Sequence, residues 1–160
     1  MLIPSPNLKL SKLTEQRKIM DEKLKKAIFS AVANEPFAQK MGMKLVELDL
    51  GYAKVEMDYL PESMDNIYQR AHGGAIYSLI DEAFETSCQT HGTVAVALSV
   101  SVSYTASPKP GARLTAESKE ITRSKKIAHY DISVTDQDSN LIATSKTMAF
   151  RTGKPIPFLD

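Results

Sequence analysis

Apolar residues near the start of the chain recur at the spacing of an amphipathic helix. Between about residues 11 and 34 the apolar face comprises Leu13, Met20, Leu24, Ala27, Ile28 and Ala31, and the opposite face is rich in lysine. Pro36 is expected to stop this helix, because proline lacks the backbone N–H that a helix interior needs. Residues 1–10 show little pattern. We therefore expect a tail and helix over residues 1–35, followed by a folded domain.

Alternation with a period of two predicts strands in the rest of the chain. Apolar and charged residues alternate from Ala53 to Tyr59, and Gly51 separates this segment from residues 44–50, so the two form a hairpin. Residues 60–71 lack a regular period and are expected to be a loop. Four more strands, separated by turns, are predicted at residues 94–104, 112–122, 127–135 and 141–151.

A second helix interrupts the strands. It opens at His72-Gly73-Gly74, runs to about Gln89 and is ended by Gly92. The order helix, two strands, helix, four strands indicates an α+β fold with an antiparallel sheet. We expect one domain over residues 36–152 and a C-terminal tail over residues 153–160.

Composition narrows the class of protein. The chain has 160 residues, 42% of them hydrophobic and 24% charged, as in an ordinary globular domain. A net charge of +1 gives no general attraction to nucleic acid or to an anionic membrane. The longest apolar run, residues 94–98, is far too short to span a membrane, and the N-terminus lacks the pattern of a secretory signal. One cysteine excludes an intramolecular disulfide. Taken together, these features lead us to expect a cytoplasmic protein.

Two carboxylates flank the apolar arc of the second helix. On a helical wheel Asp81 lies at one edge, beside Phe84 and Tyr77, and Glu82 lies at the other. A carboxylate at such an edge is partly desolvated, which raises its pKa and makes it a better base at neutral pH. Periodicity alone does not choose between the two.

The start of the same helix is a candidate site for an oxyanion. Gly73 and Gly74 place unobstructed N–H groups at the positive end of the helix, where a substrate carbonyl can come close to the backbone. Tight packing between loop and helix is the other common reason for such glycines.

These residues resemble a known family. His-Gly-Gly, six mainly apolar residues and then Asp81, nine residues after the histidine, is similar to the hotdog-fold acyl-CoA thioesterases, and most of all to the phenylacetate-degradation (PaaI-like) subfamily. The resemblance extends over residues 40–152. It implies an antiparallel sheet wrapped around the helix at residues 73–89, and hydrolysis of an acyl-CoA thioester to a free acid and CoA.

The resemblance also implies roles for individual residues. Asp81 would be the general base or the nucleophile, and the amide of Gly73 would polarise the thioester carbonyl. Asn66 would help to position water or the thioester, and His72 would orient the loop. In this family the asparagine and glycine come from one subunit and the carboxylate from the other, so we expect a homodimer or a dimer of dimers.

The family also has a serine or threonine on the strand after the helix. Ala97 takes that position here, and Ser99, two residues on, is expected on the same face. The basic turn at Arg123, Lys125 and Lys126 is a candidate for binding the phosphates of CoA.

No metal or cofactor is expected, because a thioester carbonyl is electrophilic and its thiolate is a good leaving group, so that a general base and an oxyanion donor suffice. Cys88 and His91 lie three residues apart but lack further metal ligands at suitable spacing. Two alternatives stay open. One is a non-catalytic module or sensor that binds acyl-CoA, and the other is a hotdog dehydratase that acts on 3-hydroxyacyl thioesters.

Overall fold

The first predicted helix is present as α1, Glu22–Asn34, in the computed structural model, which describes residues 20–159. The Asp21 carboxylate accepts a hydrogen bond from the N–H of Leu24 at 2.8 Å and so caps the helix, while its predicted residues 11–19 lie outside the described ones. Leu24, Ile28 and Val32 form the buried stripe. Pro36 does not simply stop the helix, because it also opens a short second helix, α2, Pro36–Met41, at the first position, where proline is tolerated.

The strands form one antiparallel sheet. They are β1, Lys44–Asp49; β2, Tyr52–Asp58; β3, Thr93–Tyr104; β4, Arg113–Arg123; β5, Ile127–Asp136; and β6, Leu141–Pro155. Their order in the sheet is β1-β2-β4-β5-β6-β3. A single-turn helix, α3, Pro61–Met64, lies in the segment predicted as a loop. Strand β6 runs three residues into the segment predicted as a C-terminal tail.

The sheet wraps around the long helix α4, Gly73–Gln89. Leu79, Ile80 and Ala83 of this helix have no exposed surface. Phe84 packs edge-to-face on Tyr130 of β5, with ring centroids 5.4 Å apart. The predicted hotdog architecture, with an additional N-terminal helix, is therefore confirmed.

Strand β3 departs from the alternation that its sequence predicts. Ala97 pairs with Ala149 and Ser99 pairs with Met148, so Leu98 is an extra residue in a bulge. Since adjacent residues of β6 point to opposite faces of the sheet, Ala97 and Ser99 do too, and the prediction that they share a face is wrong. The sequence does not reveal the bulge, because apolar residues occupy every second position both before and after Leu98.

β3 is also an open edge of the sheet. Val96, Leu98 and Tyr104 are 49%, 52% and 52% exposed. A long, apolar edge strand presents unpaired backbone N–H and C=O groups, which favour pairing with a further strand.

Candidate active site

The first turn of α4 is organised by His72. As the N-cap residue, its Nδ1 accepts a hydrogen bond from the N–H of Gly74 at 2.9 Å. That bond engages the amide of Gly74, which was predicted to contact substrate. Gly73 is the first helical residue, and the helix itself provides no acceptor for its N–H. The predicted role of His72 in orienting this loop therefore has a direct geometric basis.

Tyr104, at the end of β3, covers the other side of Gly73. Its hydroxyl donates a hydrogen bond to the Gly73 carbonyl oxygen at 3.0 Å. A Cβ on Gly73 would lie 3.2 Å from Cζ of this ring, so a side chain there would require the tyrosine to shift by a few tenths of an ångström. In the sequence Tyr104 is only the last apolar residue of a predicted strand, and no local signal marks it as a site residue.

Asn66 builds the loop that leads to this helix. Its side-chain carbonyl oxygen accepts from the N–H of Tyr68 at 2.8 Å, and its own N–H donates to the Arg70 carbonyl at 2.8 Å. The N–H of His72 then bonds the Met64 carbonyl at 2.7 Å, which fixes the entry into α4. With its oxygen engaged, the Asn66 side chain offers its amide N–H groups as donors to a ligand.

Asp81 lies two turns beyond Gly73 on the same side of α4. Its side chain is half-buried, and this burial raises the pKa of the carboxyl. Within the described residues no hydrogen bond or opposite charge offsets the effect. Burial, followed by the nearby charge of Asp81, raises the pKa of the Tyr77 phenol, one turn earlier on the helix. An unpaired, partly desolvated carboxylate is typical of functional sites.

Glu82 lies in a different environment from Asp81. It is 4% exposed and borders a cavity of about 370 Å³ between α1 and α4, together with Glu35 and Glu85. Burial, followed by the charges of Glu35 and Glu85, raises its pKa strongly. Residues of α1 therefore cover the Glu82 side of α4. Asp81, and not Glu82, shares a face with Gly73.

Comparisons with known proteins identify the family of this chain. A family model described as thioesterase superfamily matches residues 68–143. A protein of Archaeoglobus fulgidus named as an esterase is 33% identical over 144 residues, covering 90% of this chain and 91% of its own. The chain belongs to the thioesterase superfamily. The family and the enzyme class predicted from the sequence are thereby confirmed.

Two further comparisons place this thioesterase near the predicted subfamily. The acyl-coenzyme A thioesterase PaaI of Escherichia coli is 29% identical over 123 residues, covering 77% of this chain and 87% of that protein. The solved structure of E. coli PaaI superimposes with a TM-score of 0.81 at 28% identity, covering 86% of this chain and 99% of that one. The PaaI-like resemblance is therefore confirmed.

The basic turn of the thioesterase is not close to its Gly73. Arg123 donates from Nε to the Glu120 carboxylate at 3.1 Å, and that carboxylate also lies 2.6 Å from His91, just beyond the end of α4. Since α4 has 17 residues, the turn is about 25 Å from Gly73 along the helix. Lys126 lies over the Phe150 ring, 5.3 Å from its centroid.

Cys88 and His91, the other two candidate reactive residues on or beside α4, lie in structural settings. Burial raises the pKa of the Cys88 thiol to about 12, so it is not a thiolate at neutral pH. His91 bonds Glu120, which also accepts from the Tyr130 hydroxyl at 2.9 Å. Among residues 20–159 no group of three or more metal-ligating side chains is found, and no helix there is long and apolar enough to cross a membrane.

Proposed function

We propose that the protein hydrolyses acyl-CoA thioesters through the Asp81 carboxylate and the Gly73 amide. The observation that carries this proposal is the pairing, on one face of α4, of a half-buried carboxylate that lacks a partner in the described chain with a helix N-terminal amide. The first can remove a proton or attack a carbonyl, and the second can stabilise the negative charge that follows.

The reaction needs few parts. Asp81 removes a proton from water as the water attacks the thioester carbonyl, and the resulting oxyanion accepts a hydrogen bond from the Gly73 N–H. The C–S bond then breaks, and the CoA thiolate takes up a proton. General base catalysis contributes about 10²–10⁴-fold and one oxyanion donor about 10²–10³-fold. Direct attack by Asp81, giving an anhydride that water then hydrolyses, uses the same groups, and neither route requires a metal or redox cofactor.

A second subunit is required to bring these groups together. The eight residues from Gly73 to Asp81 correspond to a rise of about 12 Å. A donor and a base that act on one carbonyl must each lie within about 3 Å of the reacting atoms. We infer that Asp81 acts at the Gly73 of a partner subunit. The open, apolar edge of β3 supports sheet pairing of this kind, in a homodimer or in a dimer of dimers.

The same arrangement gives the basic turn a role. If two copies of α4 run antiparallel, the turn of one subunit comes to the end of the dimer where the other has its Gly73. The subunit that supplies Asp81 would then also supply Lys125 and Lys126 to the phosphates of CoA.

Release of free thiol from a panel of aryl- and alkyl-CoA thioesters tests the proposal. Wild-type protein is expected to turn over at least one of them, and Asp81→Asn is expected to lower kcat by about 10²–10⁴-fold. Glu85→Gln, one turn further along α4, is the matched control and should retain activity. Stoichiometric CoA binding without thiol release would instead identify a binding module, and enoyl absorbance with a 3-hydroxyacyl-CoA would identify a dehydratase.

A further inference from the structure

The lining of the cavity between α1 and α4 combines acidic and apolar side chains. The acidic ones are Glu35, Glu82 and Glu85, and the apolar ones include Ile28, Val32 and Phe158. The cavity has a volume of about 370 Å³, which is in the range of pockets that hold a small organic molecule. It lies on the side of α4 that α1 covers and is separate from Gly73.

No cation offsets the negative charge of this cavity within residues 20–159. The salt bridges found there involve none of Glu35, Glu82 and Glu85. The charged groups that act on Glu82 are Glu35, Glu85 and Asp81, and each of them raises its pKa. Carboxylates that share a cavity without a counter-charge repel each other, whereas buried charges in proteins are as a rule paired. A bound cation would supply the missing charge.

Two buried acceptors in the lining also lack a donor. Glu82 is 4% exposed, and its hydrogen-bonding neighbour is another carboxyl group, that of Glu35. The side-chain oxygen Oε1 of Gln89, which lines the same cavity, is buried and has no hydrogen-bond partner in the described part of the chain. A buried acceptor without a donor is unfavourable and rare in native proteins. This oxygen therefore points to a donor that a ligand supplies.

The arrangement suits an organic cation better than a metal ion. No group of three or more metal-ligating side chains suited to one ion is found among the described residues. An alkyl ammonium group carries three N–H donors, and two such groups joined by methylenes reach acceptors that one ion cannot bridge. The methylenes can pack on Ile28 and Val32, and the Phe158 ring attracts a cation.

We propose that this cavity binds an aliphatic diamine or polyamine, with its ammonium groups on the acidic side chains and on Gln89 and its methylene groups on the apolar wall. Glu82 and Glu85 are neighbours on α4, three residues apart, so one ammonium group can bridge them. The second reaches Glu35, the residue that follows α1. The site does not depend on the proposed hydrolysis.

Calorimetric titration of the full-length protein with 1,4-diaminobutane tests the site. At pH 8 and low salt we expect one diamine per chain with a Kd of about 1 mM or tighter, and binding of butylamine about 10-fold weaker or less. Uncharged 1,4-butanediol should not bind. Glu82→Gln with Glu85→Gln should weaken diamine binding by about 10-fold or more. Glu62→Gln with Asp138→Asn removes the same charge at exposed positions and should leave the Kd unchanged.

A variant that fills the cavity separates this site from a general effect of charge. Ala31, which is half-buried in the lining, can be replaced by phenylalanine, and Ala31→Phe should abolish binding although every acidic group is kept. Glu85→Gln alone, at an exposed position, provides a folded variant if the others lose their thermal transition, and it should weaken binding by about 3-fold or more. Wild-type protein that gives no binding heat, or folded cavity variants that bind as wild type does, would overturn the proposal. Competition by equimolar MgCl₂ would overturn it in favour of a metal site.

Discussion

The Tyr104 hydroxyl donates a hydrogen bond to the carbonyl oxygen of Gly73 at 3.0 Å, so the open edge strand β3 and the first turn of α4 hold each other in place. The tyrosine binds the carbonyl of residue 73 and leaves its N–H unobstructed. The position of the proposed oxyanion donor thus depends on a strand that also forms the proposed subunit interface.

Substitutions of Gly73 separate its amide from its lack of a side chain. Alanine and proline both add a Cβ that would lie 3.2 Å from the Tyr104 ring, but only proline removes the N–H. Proline suits the first position of a helix, and the extended backbone of His72 is compatible with a following proline. We expect kcat of Gly73→Pro to be about 10²–10³-fold below that of Gly73→Ala. Equal rates for the two variants would exclude the amide as the oxyanion donor.

The pH dependence of the rate should reflect the burial of Asp81. Only the ionised carboxylate can act as base or nucleophile, so activity should increase as pH rises through its pKa. Because burial raises that pKa, the acidic limb of kcat should lie above the range of an exposed aspartate. Stopped assays with a thiol reagent across the acidic range would measure this. A rate that stays constant down to the ordinary pKa of aspartic acid would argue against Asp81.

The buried Glu82 should make the protein less stable at alkaline pH. Its folded-state pKa is raised, so between the ordinary pKa of glutamic acid and the raised value the folded state holds a proton that the unfolded state has lost. The free energy of unfolding should therefore fall as pH rises through that window. Glu82→Gln, which remains neutral, should gain at least about 1 kcal/mol, or about 3 °C in Tm, at the alkaline end. Thermal unfolding from pH 5 to 9 tests this, and a difference that does not grow with pH would contradict it.

The two lysines of the basic turn should affect substrate binding more than chemistry. Lys125→Ala with Lys126→Ala should raise KM for an acyl-CoA about 10-fold, with kcat little changed and the effect weaker at high salt. Lys23→Ala with Lys26→Ala, on the exposed face of α1, removes the same charge and serves as the control. If both pairs change KM equally, the effect is one of net charge and not of a phosphate site.

The local pattern predicted most of the helices and strands correctly. The alternation around Val55 and the spacing from His72 to Asp81 are short-range features, and they located β2 and α4, the helix that carries the proposed catalytic residues Gly73 and Asp81. The end of α1 just before Pro36 was also predicted correctly, although Pro36 begins a short helix as well.

Features that depend on distant contacts were missed. The bulge at Leu98 is visible only in the pairing of β3 with β6, because valine, alanine and serine fit either face of an edge strand. Glu82 resembles Asp81 on a helical wheel, and only the packing of α1 buries it. Tyr104 contacts Gly73 across 31 residues of sequence, which no local period encodes.

Mixing two inactive variants tests most directly whether Gly73 and Asp81 act together across subunits. A dimer of one Gly73→Pro and one Asp81→Asn subunit has one site with both substitutions and one intact site. Random reassociation makes about half of the dimers mixed, so free-thiol release should recover to about a quarter of the wild-type rate. Activity that stays at the sum of the two parent variants, while native mass spectrometry detects the mixed dimer, would contradict a site shared between subunits.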